Sequence, residues 1–139
     1  METKIFTVQE ANKALPKIIS HFNEIDTLKK KIFLMNAQAD SIKSFWGAEL
    51  RDSDNPDSQN YDNLRSLIEE FRTDILTRIE RIQEFGCIIK DIDDGIIDFY
   101  SVKNGELVLL CWKYGEKDVR YWHPVESGYR ARRLIEEVE

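Results

Sequence analysis

The sequence predicts an α+β fold: a long antiparallel helical hairpin, then a four-stranded antiparallel β-meander and a short C-terminal helix. Before Gly86, apolar residues recur at intervals of three and four, the spacing of a helix that buries one side. After Gly86 the spacing changes to two, which is typical of strands. The dipeptide Asn104-Gly105 indicates a two-residue hairpin turn. We expect a single domain over residues 1–139, because a chain of this length builds one hydrophobic core.

The helical hairpin is predicted over residues 7–86. Thr7 and Glu10 have the spacing of a capping box, in which each side chain bonds to the backbone amide of the other residue. Residues 47–61 have no periodicity and are rich in Asp, Asn and Ser, so they predict the loop between the helices. Gly86 is expected to end the second helix as its C-terminal cap. The apolar stripe of the first helix contains Ala11, Leu15, Ile18, Phe22, Ile25, Leu28, Ile32, Met35, Ala39, Ile42 and Trp46, and that of the second contains Leu64, Ile68, Phe71, Ile75, Ile79 and Ile82.

The β-meander is predicted over residues 87–124. Its expected strands are residues 87–92, 96–102, 107–113 and 119–123. The two-residue turn between the second and third strands fixes their register. It places Lys103 opposite Glu106 and Asp98 opposite Cys111, and the opposite charges of the first pair support this pairing.

The loop at residues 115–118 determines which face of the sheet carries His123. In an antiparallel pair, facing residues have a constant sum of residue numbers, and a slip of one residue reverses every side chain. If that sum is even for the last two strands, His123 joins Asp98 and Cys111 on one face. If it is odd, His123 lies on the opposite face. The sequence leaves both alternatives open.

The tail, residues 125–139, predicts the short C-terminal helix. The segment 130–137 contains three arginines followed by apolar and acidic residues, as in a solvated helix. The alternative role for its basic run, residues 130–133, is to clamp a phosphate or a carboxylate.

Composition indicates a globular protein in aqueous surroundings, with 42% hydrophobic and 33% charged residues. No apolar run approaches the ~20 residues that a membrane-spanning helix needs. The first residues lack the basic flank and apolar stretch of a signal peptide. The cysteines, Cys87 and Cys111, match no zinc-finger spacing and favour two free thiols in a reducing compartment. We therefore expect a cytoplasmic protein with no membrane partner.

Charge and aromatic residues raise the hypothesis of a nucleic-acid surface. The net charge of −6 argues against nucleic-acid binding by the whole surface, but residues 101–133 contain seven Lys or Arg against four Asp or Glu. Aromatic side chains there would stack on bases between flanking arginines. The candidate residues are Trp112, Tyr121, Trp122, Arg120 and Arg130. Because aromatic residues on strands more often belong to the core, a nucleic-acid partner is not favoured.

A metal or thiol site is the second chemical hypothesis, formed by Asp98, Cys111, Glu116 and His123. Carboxylate, thiolate and imidazole groups all bind zinc or iron, and adjacent strands lie about 5 Å apart. Glu116 would alternatively act as a general base over a pocket. The competing interpretation is packing, with Cys111 as a small buried hydrophobe and Asp98 paired with Lys90 or a turn amide. Because the sequence has no Cys-x-x-Cys or His-rich spacing, we favour packing over a divalent metal and over catalysis by Cys111.

Motifs in both halves of the chain carry a resemblance to a known family. They are Phe6-Thr7-Val8-Gln9-Glu10-Ala11-Asn12, Leu15-Pro16, Gly86-Cys87, Asp91, Gly95-Ile96-Ile97-Asp98-Phe99, Leu110-Cys111-Trp112, Gly115-Glu116 and Tyr121-Trp122-His123. Over nearly the whole chain, they resemble a bacterial family catalogued as domain of unknown function 2203. The acidic and glycine-containing stretch 126–129 also matches this family, and the extension 130–137 does not. The resemblance implies no activity, because none is established for the family.

These observations predict a binding or protein-interaction module whose functional surface lies on the β-meander. The expected partner is another protein, or a second copy of the chain that is joined through a coiled coil of the helices. The candidate binding residues are Trp112, Glu116, Arg120, Trp122, His123 and Arg130. The alternatives are a small metal-dependent or thiol enzyme that uses Asp98, Cys111, Glu116 and His123, and the nucleic-acid binder described above.

Overall fold

The computed structural model describes residues 3–136 and confirms the α+β fold, with two helices and an antiparallel sheet. Helix α1 is Val8–Trp46 and helix α2 is Ser58–Glu84. The strands are β1 (Ile88–Asp91), β2 (Ile96–Lys103), β3 (Glu106–Lys113), β4 (Tyr121–Pro124) and β5 (Arg133–Leu134). They lie in the order β1-β2-β3-β4-β5, and each neighbouring pair is antiparallel. Within residues 3–136, no helix has the length and apolar character needed to cross a membrane.

The start of α1 and the end of α2 follow the predicted capping. The Thr7 N–H donates to Glu10 Oε1 at 2.9 Å, and the Glu10 N–H donates to Thr7 Oγ1 at 3.0 Å, so the capping box is present. Gly86 follows α2 with a φ of +97°, which suits a glycine C-cap.

The connection between the helices is shorter than the predicted loop at residues 47–61. A 3-10 turn, Gly47–Arg51, follows α1 directly, and α2 already begins at Ser58. Asp57 explains the early start, because its carbonyl accepts the first bond of α2, from the Tyr61 N–H at 2.9 Å. Its Oδ2 also accepts a hydrogen bond from the Trp46 indole N–H at 2.8 Å, so the helix start is tied to the end of α1.

The chain divides into two compact units. One is Asn23–Arg78, and the other combines the chain up to Phe22 with the chain from Ile79 onward. In the first unit, which we call the helical unit, the Lys31 ammonium lies 5.6 Å from the ring centroid of Phe71, so α1 and α2 contact each other. The second unit, which we call the sheet unit, contains all five strands and both ends of the described chain.

One face of the sheet packs against apolar side chains from the first part of the chain. This apolar face consists of Ile97, Phe99, Leu110, Trp112 and Trp122, which share a side by register. The Phe6 and Phe99 ring centroids are 4.9 Å apart, and those of Phe22 and Trp112 are 5.8 Å apart. The Val119 N–H donates to Asn12 Oδ1 at 2.8 Å. These contacts make the apolar face the main core of the sheet unit.

The predicted hairpin register is confirmed. Lys103 faces Glu106 and Asp98 faces Cys111. Asn104 and Gly105 both have positive φ values, +52° and +79°, as a type I′ turn requires. The turn chemistry therefore set the pairing of β2 with β3.

The C-terminal segment differs from the prediction of a fourth and last strand followed by a helix. A 3-10 turn, Tyr129–Ala131, leads into β5, which pairs with β4 and makes a fifth strand. The Ile135 N–H also donates to the Arg120 carbonyl at 2.7 Å. The open edge of β4 offers these backbone groups a partner, and an isolated helix this short is unstable. The predicted helix is therefore wrong for residues 125–136; residues 137–139 lie outside the described part.

Candidate functional site

Asp98, Cys111 and His123 meet on the second face of the sheet, which we call the polar face. In the pairing of β3 with β4, Leu109 faces His123 and Cys111 faces Tyr121, so the residue sum is even. His123 therefore joins Asp98 and Cys111 on one face, diagonal to Cys111. One ligand atom from each of the three side chains lies within 4.8 Å of the others. All three residues are at most 1% exposed.

The hydrogen bonds of His123 define the protonation of this cluster. Its Nδ1 lies 2.8 Å from the Pro124 carbonyl oxygen, which only accepts, so Nδ1 carries a proton. Its Nε2 lies 3.1 Å from Asp98 Oδ2. One further proton must lie between Nε2 and Oδ2, on the imidazole or on the carboxyl group. In either arrangement the Asp98–His123 pair is neutral as a whole, which suits its burial.

The other oxygen of Asp98 is less well satisfied. Asp98 Oδ1 is buried and has no hydrogen-bond partner among residues 3–136. A buried acceptor in this condition costs about 1–3 kcal/mol relative to a satisfied one. Such atoms are rare in native proteins, so this one calls for an explanation beyond packing.

The Cys111 thiol is held in its protonated form. Burial raises its pKa to about 12; the neighbouring Asp98 carboxylate also raises it, and Arg132 opposes the increase. Burial likewise raises the pKa of Cys87 to about 12. Because the thiolate is the nucleophile in cysteine chemistry, neither thiol has the microenvironment of a reactive cysteine at neutral pH.

Glu116 lies outside the cluster and binds the C-terminal segment. Its Oε1 accepts from the Lys113 N–H at 2.7 Å, and Arg132 Nη1 lies 2.9 and 3.0 Å from its two carboxylate oxygens. Burial disfavours charge on Arg132, but the hydrogen bond and charge of Glu116 outweigh it and raise the pKa of the guanidinium. The rings of Tyr121 and Tyr129 have their centroids 4.1 and 4.0 Å from the guanidinium carbon. Within the basic run at residues 130–133, Arg132 thus binds a carboxylate, and that carboxylate belongs to the same chain.

The two tryptophans of the meander have different environments. Trp112 is 0% exposed, packs on Phe22 and donates its indole N–H to the Glu116 carbonyl at 3.0 Å. Trp122 is half-buried, with Lys103 Nζ 5.5 Å and the Arg133 guanidinium 5.3 Å from its ring centroid. Any stacking surface would therefore have to use Trp122 and not Trp112.

The remaining candidates lie at the surface and do not join the cluster. Arg120 is exposed, and its Nε donates to Asp118 Oδ1. Arg130 is also exposed and lies within the 3-10 turn before β5. Sequence reasoning placed Arg132 only within a basic run, and its pairing with Glu116 has no spacing signal, because it depends on β5.

A cavity of about 160 Å³ lies on the side of the apolar face and was not predicted. Its walls come from the N-terminal segment, from β2, β3 and β4, and from the residue after β5. They include Ile5, Phe6, Val8, Val102, Val108, Leu110, Trp122 and Ile135. No local motif indicates it, because residues far apart in the sequence form it.

The comparisons with known proteins agree with the resemblance seen in the motifs. A model of the uncharacterized conserved proteins catalogued as domain of unknown function 2203 matches residues 4–135. The matched range includes residues 130–135, so the expectation that the extension after residue 129 lies outside the family pattern is wrong for these residues. Neither the curated proteins nor the solved structures gave a match. The match to the family model covers the helices, the meander and the segment that contains Arg132. The chain therefore belongs to the family of domain of unknown function 2203.

Proposed function

We propose that this chain is a protein-interaction module whose functional surface lies on the β-meander. The cavity beside Trp122 carries the proposal. At about 160 Å³, it compares with the roughly 150 Å³ cavity that holds benzene in an engineered protein core. It therefore has room for one aromatic or branched aliphatic side chain of a partner. A single large side chain seated in such a pocket is the usual source of most of the binding energy.

The charged residues around the cavity indicate which residues should flank that side chain in the partner. Lys103 and Arg133 both lie over the Trp122 ring, at one wall of the cavity. Glu10 also lines the cavity, but its carboxylate accepts the Thr7 N–H, which lowers its pKa and occupies it in the capping box. An acidic segment with one large apolar residue complements this arrangement.

A synthetic peptide tests the proposal directly. The probe is acetylated, amidated Glu-Glu-Phe-Glu-Glu, titrated into the isotopically labelled chain, and the same peptide with Ala in place of Phe is its control. We expect saturable shifts of the Trp122 indole N–H with the Phe peptide only. Val108→Phe should abolish them by filling the cavity, and Arg133→Glu should weaken binding while Arg65→Glu, on the exposed side of α2, should not.

Two outcomes would contradict the proposal. Equal shifts with the Ala peptide would show that the cavity takes no side chain. Unchanged binding in Val108→Phe, with a native spectrum, would place the peptide elsewhere on the molecule.

The helical unit supports self-association as a second proposal. Phe33, Leu34 and Phe45 of α1 are 74%, 63% and 78% exposed, which is unusual for side chains so large. Leu34 and Phe45 are three helical turns apart and so lie on the same side of α1. Sedimentation equilibrium should detect a dimer that Leu34→Ser with Phe45→Ser dissociates. Val125→Ser, which changes an exposed apolar residue of the sheet unit, is the control, and a monomer at all concentrations would reject the dimer.

A further inference from the structure

We propose that Asp98, Cys111 and His123 bind a divalent transition-metal ion of the zinc type. This site lies on the polar face of the sheet, whereas the cavity of the proposed interaction lies on the side of the apolar face. The two proposals are therefore independent.

The chemistry of the three side chains selects the kind of metal. A thiolate, an imidazole nitrogen and a carboxylate oxygen together suit Zn²⁺, Co²⁺ or Fe²⁺, and not Mg²⁺ or Ca²⁺. Tetrahedral Zn²⁺ holds such atoms at about 2.0–2.3 Å, so they lie about 3.3–3.8 Å from one another. The three atoms here lie within 4.8 Å, and Nε2 and Oδ2 are already 3.1 Å apart. Side-chain shifts of about 1 Å therefore complete the geometry.

His123 is already oriented as a metal ligand. Its Nδ1–H donates to the Pro124 carbonyl, which leaves Nε2 as the nitrogen that faces Asp98 and Cys111. In metal sites the ligating histidine almost always donates its other N–H to a carbonyl or a carboxylate in this way. The Pro124 carbonyl is fixed in turn, because it also accepts from the Ser127 N–H at 3.1 Å and the Ser127 hydroxyl at 3.2 Å.

The unsatisfied oxygen of Asp98 also supports a bound cation. Asp98 Oδ1 is buried without a hydrogen-bond partner among the described residues, although the residue is only 1% exposed. A bound cation supplies the partner that this carboxylate lacks. Apolar side chains of similar volume would fill the same space without the desolvation penalty of a carboxylate, so packing alone does not account for it.

The charges around the cluster are compatible with a divalent cation. A bound divalent cation displaces two protons, the one on the Cys111 thiol and the one shared by Asp98 and His123. Asp98 and the resulting Cys111 thiolate then neutralise the two positive charges of the ion, and His123 is a neutral ligand. Arg132 and Glu116 are the charged groups nearby, and they form an ion pair with N–O distances of 2.9 and 3.0 Å. The pair as a whole therefore adds no net charge beside the cluster. The rings of Tyr121 and Tyr129 cover the guanidinium on the polar face.

Equilibrium dialysis and Co²⁺ spectroscopy test the site on the full chain. The protein is purified without a metal-affinity tag and dialysed against Zn²⁺ or Co²⁺. We expect one ion per chain and a thiolate-to-cobalt absorption band in the near ultraviolet. Cys111→Ser should remove this band, and Asp98→Asn should weaken Zn²⁺ binding at least tenfold. Cys87→Ser changes a thiol that is also buried, outside the cluster, and should retain the band.

A measurement on the unsubstituted chain covers the case in which a variant does not fold. Binding of Zn²⁺ should shift the ¹⁵N resonance of His123 Nε2 and leave both ring nitrogens of His21 unchanged. No retained ion, or a Co²⁺ band that Cys87→Ser removes and Cys111→Ser keeps, would overturn the site. An unchanged His123 resonance in zinc-saturated protein would do the same. None of these outcomes depends on the peptide titration, so the interaction proposal can fail or succeed separately.

Discussion

The centres of the two faces of the sheet are buried equally well but in chemically different ways. Phe99 and Trp112 on the apolar face are 0% exposed, and Asp98 and His123 on the polar face are 1% exposed. The apolar face gains its free energy from area and dispersion, which depend little on direction. The polar face depends on particular hydrogen bonds and on one shared proton. Equal burial therefore does not mean equal tolerance to substitution, because a substitution on the polar face can leave a buried charged group without its partner.

The segments that cover the faces differ as well. Phe6 and Phe22, from the first part of the chain, pack on the apolar face. Arg132 and Tyr129, from the C-terminal segment, lie on the side of the polar face. Glu116 binds the Arg132 guanidinium, which contacts the rings of Tyr121 and Tyr129. The first part of the chain thus covers the apolar face with aromatic rings. The C-terminal segment covers the polar face with an arginine that forms an ion pair with Glu116.

Trp112→Ala should have the largest effect on stability. It removes the side chain that packs on Phe22 and leaves a large cavity in the core, and it also removes the bond to the Glu116 carbonyl. We expect a loss of about 4 kcal/mol in the free energy of unfolding. Urea denaturation followed by circular dichroism measures it. A loss below about 1 kcal/mol would mean that this face is not the main core.

His123→Leu should cost somewhat less, about 3 kcal/mol, because it leaves the Asp98 carboxylate buried without its partner. The double variant, His123→Leu with Asp98→Leu, tests whether the buried carboxylate causes this loss. There no stranded group remains, so the double variant should be more stable than His123→Leu alone. Additive losses in the double-mutant cycle would show instead that the polar face behaves like the apolar face.

Alkaline pH should reduce the stability that the two buried thiols contribute to the folded chain. In the unfolded chain a cysteine ionises near its ordinary pKa of 9.0, whereas burial raises the pKa of Cys87 and Cys111 to about 12 in the folded chain. The stability that these thiols contribute is therefore complete below pH 9 and is lost as the pH rises toward 12. Each thiol should reduce the free energy of unfolding by about 1.4 kcal/mol per pH unit in this range.

Urea denaturation at several pH values checks this slope. Cys87→Ala and Cys111→Ala should each remove one thiol's share of the pH dependence. A slope that is unchanged in both variants would assign the alkaline loss to other groups.

Arg120→Ala should have the smallest effect. Arg120 is exposed and pairs with Asp118 at the surface, where an ion pair contributes little. We expect an unchanged thermal midpoint by differential scanning calorimetry. A measurable fall would give Arg120 a structural role that its exposure does not suggest.

Local chemistry was sufficient to predict the helices, the capping box and the register of β2 with β3. Asn104 and Gly105 occupy the left-handed conformations that their turn type requires, and the turn then fixes every pair between the two strands. The pairing of Asp98 with Cys111 was predictable for the same reason. It needs no information from outside the hairpin.

The place of His123 could not be predicted, because the loop before β4 is set by non-periodic contacts. Gly115 has a φ of +103°, and Glu116 accepts from the Lys113 N–H and from the Trp112 indole. These contacts decide whether the residue sum for the pairing of β3 with β4 is even or odd, and they leave no pattern in the sequence. Likewise, β5 forms because β4 offers an open edge, so tertiary pairing overrides the helical propensity of the tail.

The order in which the chain is synthesised affects the two faces differently. Asp98 and His123 are 25 residues apart, whereas Ser101 donates to the Phe6 carbonyl across 95 residues. Closing the longer loop costs about 1.2 kcal/mol more in chain entropy. The polar cluster can therefore assemble as soon as the meander emerges, from strands that follow one another. Phe6, among the first residues made, must wait for β2 before it has anywhere to pack.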